Sequence, residues 1–104
     1  MTETVIHVAR DFTRYPAGRF TTDGIYSGER FRSDYLIPAL SDNDFVTVLL
    51  DGTLGFGSSF LEEAFGGLVR NGFDRTVLET KLKLVASDKT LCDEIWDYIR
   101  SADK

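Results

Sequence analysis

The sequence is poor in the residues on which small-site chemistry most often rests. Its 104 residues include one cysteine, Cys92, and one histidine, His7. A single cysteine excludes an internal disulfide, and the pair falls short of the Cys/His ligand set of a closed zinc site. No metal or cofactor is therefore expected, and the cysteine usage points to a reducing compartment. Long apolar runs are also missing: no window approaches the roughly 18 uninterrupted apolar residues of a membrane span. The opening MTETVIHVARDF has neither the basic nor the apolar segment of an export signal. A cytoplasmic protein with no membrane contact is the expectation. A basic cluster is absent as well. Up to residue 40 five arginines balance five acids, so the net charge of -5 falls in the remainder. Phosphate backbones need a basic stripe, so nucleic acid is not an expected partner, whereas a basic protein surface is.

What is present is the patterning of one globular domain over residues 1-104, 42% hydrophobic and 28% charged. TVIHVARDF (Thr4 to Phe12) reads as a first strand, and RFTTDG, after the turn chemistry of Pro16 and Gly18, as a short second one. Phe31, Tyr35, Leu36 and Leu40 fall at helical spacing behind Ser27, a helix N-cap, with Pro38 bending the last turn. Asp44 to Asp51 is nearly continuous in apolar and β-branched residues, as the centre of a sheet would be. Leu61, Ala64, Phe65 and Leu68 form a second helical stripe, stopped by Asn71-Gly72. TKLKLVA alternates like an edge strand, and TLCDEIWDYIRSA carries a last helix on Leu91, Ile95 and Ile99. The expected fold is α/β in the order ββαβαβα, a mixed four-stranded sheet with about three helices.

The chemistry-bearing stretch is LLDGTLGFGSSFLEEAFGG, where the central strand passes through Gly52, Gly55 and Gly57 into a helix. Such a loop can aim backbone N–H groups at an anion. It lacks the Gly-Lys-Ser/Thr of a Walker A loop and the spacing of a dinucleotide fingerprint. Ser59 with Glu62 matches a capping box, in which each side chain satisfies a helix-start N–H. Ser58, one position earlier, is left to point its hydroxyl outward, where a partner's active site can reach it, or simply to be solvated.

This segment resembles STAS domains, the fold of anti-sigma-factor antagonists, in which a strand ending in an acid leads through a short loop to paired serines at a helix start. The wider run SGERFRSDYLIPAL…VTVLLDGTLGFGSSFLEEAFGGLVR is similar to the prokaryotic STAS-like family of unknown function, from Gly24 to about Ala102. The resemblance implies a non-catalytic regulatory module that acts by protein contact, beside an ATP-binding kinase-like regulator. It puts Ser58 at the phosphoacceptor position and assigns partner binding to Gly55, Phe56, Gly57, Ser58, Phe60, Glu62 and Glu63. Gly57 stands where antagonists commonly carry an acid, and bulky Phe60 where they carry a small residue. Two rivals use the same loop: an anion- or nucleotide-binding module, and an adaptor with no switch.

Elsewhere the plainer reading is the stronger one. His7 lies in an apolar strand and is a packed or edge histidine before it is a catalytic base. Glu62 and Glu63 are adjacent on a helix, about 100° apart, and do not form a facing carboxylate pair. Gly66-Gly67 in mid-helix costs roughly 1 kcal/mol per glycine, for which close packing on the sheet, ahead of close approach to a partner helix, is the expected reason. Arg10, Arg14, Arg19, Arg30 and Arg32 are expected to pair with nearby surface acids. Of Trp96 and Tyr98, at least one is expected to reach the core.

Overall fold

A computed structural model describes residues 1–103. Strand β1 (Glu3–His7) pairs in parallel with β2 (Phe45–Leu49), and β2 in parallel with β3 (Leu82–Val85). The sheet order is β1-β2-β3, so β2 is central, as its composition predicts. Between β1 and β2 runs α1, a continuous helix in three segments: Gly28–Phe31, a widened turn at Arg32–Leu36, and Ile37–Asp42. Between β2 and β3 come α2, built in the same way from Ser58–Leu61, Glu62–Gly66 and Gly67–Arg70, and then α3 (Arg75–Lys81). Helix α4 (Lys89–Ser101) follows β3.

The mixed four-stranded sheet and the order ββαβαβα are therefore corrected: three parallel strands form, with more helical segments than the three expected. β1 stops early because Val8–Phe12 winds into one wide helical turn, closed by Thr13 N–H on Val8 O at 2.8 Å. The RFTTDG strand does not form because side chains take its backbone donors. Asp23 accepts from Phe20 N at 2.8 Å and Glu29 from Thr21 N at 2.9 Å, while Gly18 turns at φ 92°. Helix α3 occupies the first part of the TKLKLVA neighbourhood and its Lys81 leads directly into β3. It has a single buried residue, Leu78, too little for a helical stripe.

Ser27 caps α1 as expected, its buried hydroxyl accepting from Arg30 N at 3.2 Å. Pro38 does not end the helix. The wide turn before it closes from Ile37 N to Arg32 O, five residues back, and Pro38 follows in the first turn of the next segment. The core lies between the helices and one face of the sheet. Ile6, Val46, Val48 and Leu82 point into it, against Phe31, Phe60, Phe65, Leu68 and Ile95. Each such side chain contributes about 1.5–3 kcal/mol by burial. Among the described residues no helix is long and apolar enough to cross a membrane.

Candidate functional site

The candidate site sits where the central strand ends, at the carboxyl edge of the parallel sheet. Leu50 is still buried, and Asp51 is then fixed by Ser87, which donates from its backbone N at 3.0 Å and from its hydroxyl at 2.7 Å. The Ser87 hydroxyl and amide hold the Asp51 carboxyl below its ordinary pKa. The chain then turns at Gly52 (φ 101°) and Gly55 (φ 128°), conformations that strain any residue with a Cβ. Between them Leu54 donates its N–H to Arg14 O at 2.9 Å, while its side chain is 73% exposed. Phe56 is half-buried and packs on Phe60, ring centroids 5.8 Å apart, which ties the loop to the core.

The helix start differs from the sequence expectation. Gly57, extended at φ -74° and ψ 150°, is the N-cap residue, and Leu61 N–H bonds its carbonyl at 3.1 Å. Ser59 lies inside the first turn and makes no capping bond, and Glu62 turns away to arginines, so the Ser59–Glu62 capping box does not form. The helix begins earlier because Gly57 already adopts cap geometry and glycine is acceptable there. Ser58 and Ser59 are both exposed, and among the described residues neither hydroxyl has a hydrogen-bond partner.

Two of the expected partner-binding residues are taken off the surface. Phe60 is 1% exposed, inside an aromatic group with Phe12 and Phe31. Glu63 is 8% exposed and accepts from Arg32 Nη1 at 2.7 Å, while the same nitrogen reaches Glu63 O at 2.6 Å. Glu62 accepts from Arg70 at 2.7 Å and from Arg19 at 2.6 Å, and these guanidinium groups, Arg70 foremost, hold its carboxyl below the usual range. Glu62 and Glu63 are thus neutralised structural groups, neither a solvated pair nor a negative docking surface. Gly55, Phe56, Gly57 and Ser58 remain at the surface or its edge.

The ion cluster also explains the mid-helix glycines. A Cβ on Gly67 would collide with the Arg32 guanidinium, and one on Gly66 would lie 2.6 Å from the Glu62 carboxylate. The space is used by charged side chains crossing the helix rather than by the sheet, so the sheet-packing expectation is corrected. Surface pairing holds for Arg10 with Asp11 and Arg30 with Asp34, whereas Arg19 and Arg32 turn to α2. Sequence reasoning missed this cluster, and the paired glycines were its one visible trace.

Beside the loop lies a groove of about 310 Å³, which sequence reasoning also missed. Its charged lining is Asp51, Asp88 and Glu94, with Leu50, Phe56 and Leu91 as apolar wall and no lysine or arginine. Thr90 donates from its hydroxyl and its backbone N–H to Asp88, lowering that carboxyl's pKa. Among the described residues no set of three or more His, Cys, Asp and Glu side chains is placed to hold a metal. Cys92 is half-buried against the core, and burial pushes its thiol up, away from the reactive thiolate. Trp96 and Tyr98 both pack against the core, Tyr98 with its hydroxyl on Glu94 at 2.6 Å. His7 lies on edge strand β1, its backbone N–H on Asp11.

No curated protein and no solved structure matches the chain. Residues 27–91, from the Ser27 cap through β2, the loop, α2 and β3 to the first turn of α4, match the family described as STAS-like domain of unknown function (DUF4325), and the chain belongs to that family.

Proposed function

We propose that the protein is a non-catalytic regulatory module that docks a protein partner through the Gly52–Ser59 loop and helix start, with a kinase-like ATP-binding regulator as the partner class. The observation that carries the reading is the pairing, at one strand–helix junction, of a 73% exposed Leu54 with two exposed serine hydroxyls that the helix does not use. Exposed apolar groups held by a rigid scaffold are the usual anchors of protein contacts. Neither serine hydroxyl is bonded to a histidine or carboxylate among the described residues, which favours binding over nucleophilic catalysis. The acidic groove beside the loop favours a partner with basic side chains and disfavours the rival in which the loop holds phosphate or nucleotide.

Ser58 is the phosphoacceptor in this reading. Its oxygen takes the γ-phosphoryl group of ATP, its proton is released and ADP leaves. The new dianion sits at a helix start, where it is tolerated by the fold, and adds bulk and charge in the middle of the docking segment, which alters the contact with the partner. The reading is tested by recovering tagged protein from its native cell. We expect a partner enriched on the wild type and lost on Leu54→Asp, and peptide mapping that finds phosphate on Ser58. Equal recovery on both proteins overturns the docking assignment, and unmodified Ser58 under all growth conditions leaves the switchless adaptor as the better account.

A further inference from the structure

The sheet has two unlike faces. Strand order β1-β2-β3 with right-handed crossovers puts α1 and α2 on the same side, and α4 packs on the Glu62–Gly66 turn of α2, also on that side. The opposite face carries no helix. Val5 is 52% and Val85 37% exposed, Glu3 and Lys83 are exposed, and Phe45 and Leu49 are not packed against the core. Parallel sheets are almost always covered on both faces.

We propose that this open face is the contact surface of a homodimer. The pairing register lays Val5, Thr47 and Lys83 in one row, with Glu3 and Phe45 in the row before and His7, Leu49 and Val85 in the row after. The acid thus stands on one edge strand and the base on the other. A two-fold axis parallel to the strands over Thr47 sets β1 of one copy on β3 of the other. Each Lys83 is then offset from the partner's Glu3 by one row, about 7 Å along the strands, and by the usual gap of about 10 Å between stacked sheets, a backbone separation of about 12 Å that the extended lysine and glutamate side chains together can bridge. Shape agrees with this arrangement. A depression of about 600 Å³ on the face is bounded by Glu79, Thr80 and Trp96, which belong to the helices entering and leaving β3. The axis places that rim over the low β1 side of the other copy. The face with its rim balances two acids, Glu3 and Glu79, against two bases, Lys81 and Lys83, with Lys81 Nζ held on Leu40 O, so it selects a matching copy over a strongly acidic or basic partner. Three strands about 4.8 Å apart and five residues long give a floor of roughly 250 Å², well under the ~800 Å² per partner of a standard interface, so the dimer is weak and reversible.

Sedimentation velocity on the full chain from about 10 µM to about 1 mM tests this. We expect a concentration-dependent monomer–dimer equilibrium, weakened about 3- to 10-fold by Glu3→Lys or by Lys83→Glu and restored by the double exchange Glu3→Lys/Lys83→Glu. Both side chains are exposed, so the variants test contact rather than folding. Leu54→Asp, on the loop, leaves the equilibrium unchanged, which separates this surface from the docking site. A monomer at every concentration, a dimer indifferent to both single changes, or a double exchange weaker than either single change overturns the proposal.

Discussion

The two halves of the β2–α2 junction treat polar groups in opposite ways. From Glu62 to Arg70 every charged side chain is paired: Glu62 with Arg19 and Arg70, and Glu63 with Arg19, Arg70 and Arg32, the Arg32–Glu63 pair with each side chain about one-tenth exposed. From Gly52 to Ser59 the chain leaves a leucine and two hydroxyls to solvent. Adjacent stretches of one motif therefore divide the work. The later turn fixes α2 against α1, and the earlier loop is free to meet something else. A charge in this motif is evidence for structure, and an unused hydroxyl is evidence for contact.

The comparison breaks first at the ion cluster. Arg32→Met keeps the stem but leaves Glu63 buried with only its longer contacts to Arg19 and Arg70. We expect a loss of about 3 kcal/mol in urea unfolding, in the range for breaking a buried pair. A loss below 1 kcal/mol would move the cluster to the class of ordinary surface pairs.

Glycines sharpen the contrast at a smaller scale. A Cβ on Gly28 would strike the Phe60 carbonyl of the facing helix, and backbone cannot step aside, so Gly28→Ala is expected to cost about 1–3 kcal/mol. Gly57 faces open space at φ -74°, so Gly57→Ala should stay within about 1 kcal/mol despite its cap position. Thermal melts of the two variants side by side check the pair; equal losses would mean that the helix–helix approach at Gly28 is looser than described.

Acid titration follows. Arg70 and Arg19 hold the Glu62 carboxyl below its unfolded pKa, so its contribution is fully present above the ordinary glutamate range and lost as pH falls through the folded value. Glu62 is partly exposed, which keeps the contribution under about 1 kcal/mol. Urea midpoints from about pH 7 to about pH 3 should fall less steeply for Glu62→Gln than for the wild type. Parallel curves would contradict the pairing. The smallest effect is at the serines, where neither hydroxyl caps the helix. Ser58→Ala and Ser59→Ala should each change stability by less than about 0.5 kcal/mol, and a loss near 1 kcal/mol at Ser59 would restore the capping box.

Much of this architecture is legible in the sequence, for reasons that also mark the limits. β2 announces itself by an unbroken apolar, β-branched run, the Ser27 cap by its place before an apolar stripe, and α4 by Leu91, Ile95 and Ile99 at i+4 intervals. RFTTDG misleads because its amides are satisfied by Asp23 and Glu29, a tertiary fact that composition does not carry. Helix α3 is hidden because one buried leucine makes no periodicity. At the site, the glycine-serine loop is readable as a junction, while Glu62 and Glu63 look like surface acids until Arg19, Arg32 and Arg70 arrive from other positions in the chain. Gly66-Gly67 is the one local sign that a large side chain crosses there, and it does not say which.

The most direct test of the division between a structural turn and a contact loop is Leu54→Asp, read in two ways on one protein: unfolding stability, and partner recovery from the native cell. The account predicts unfolding within about 0.5 kcal/mol of wild type and loss of the recovered partner. A partner retained at wild-type level on a folded Leu54→Asp protein would contradict it.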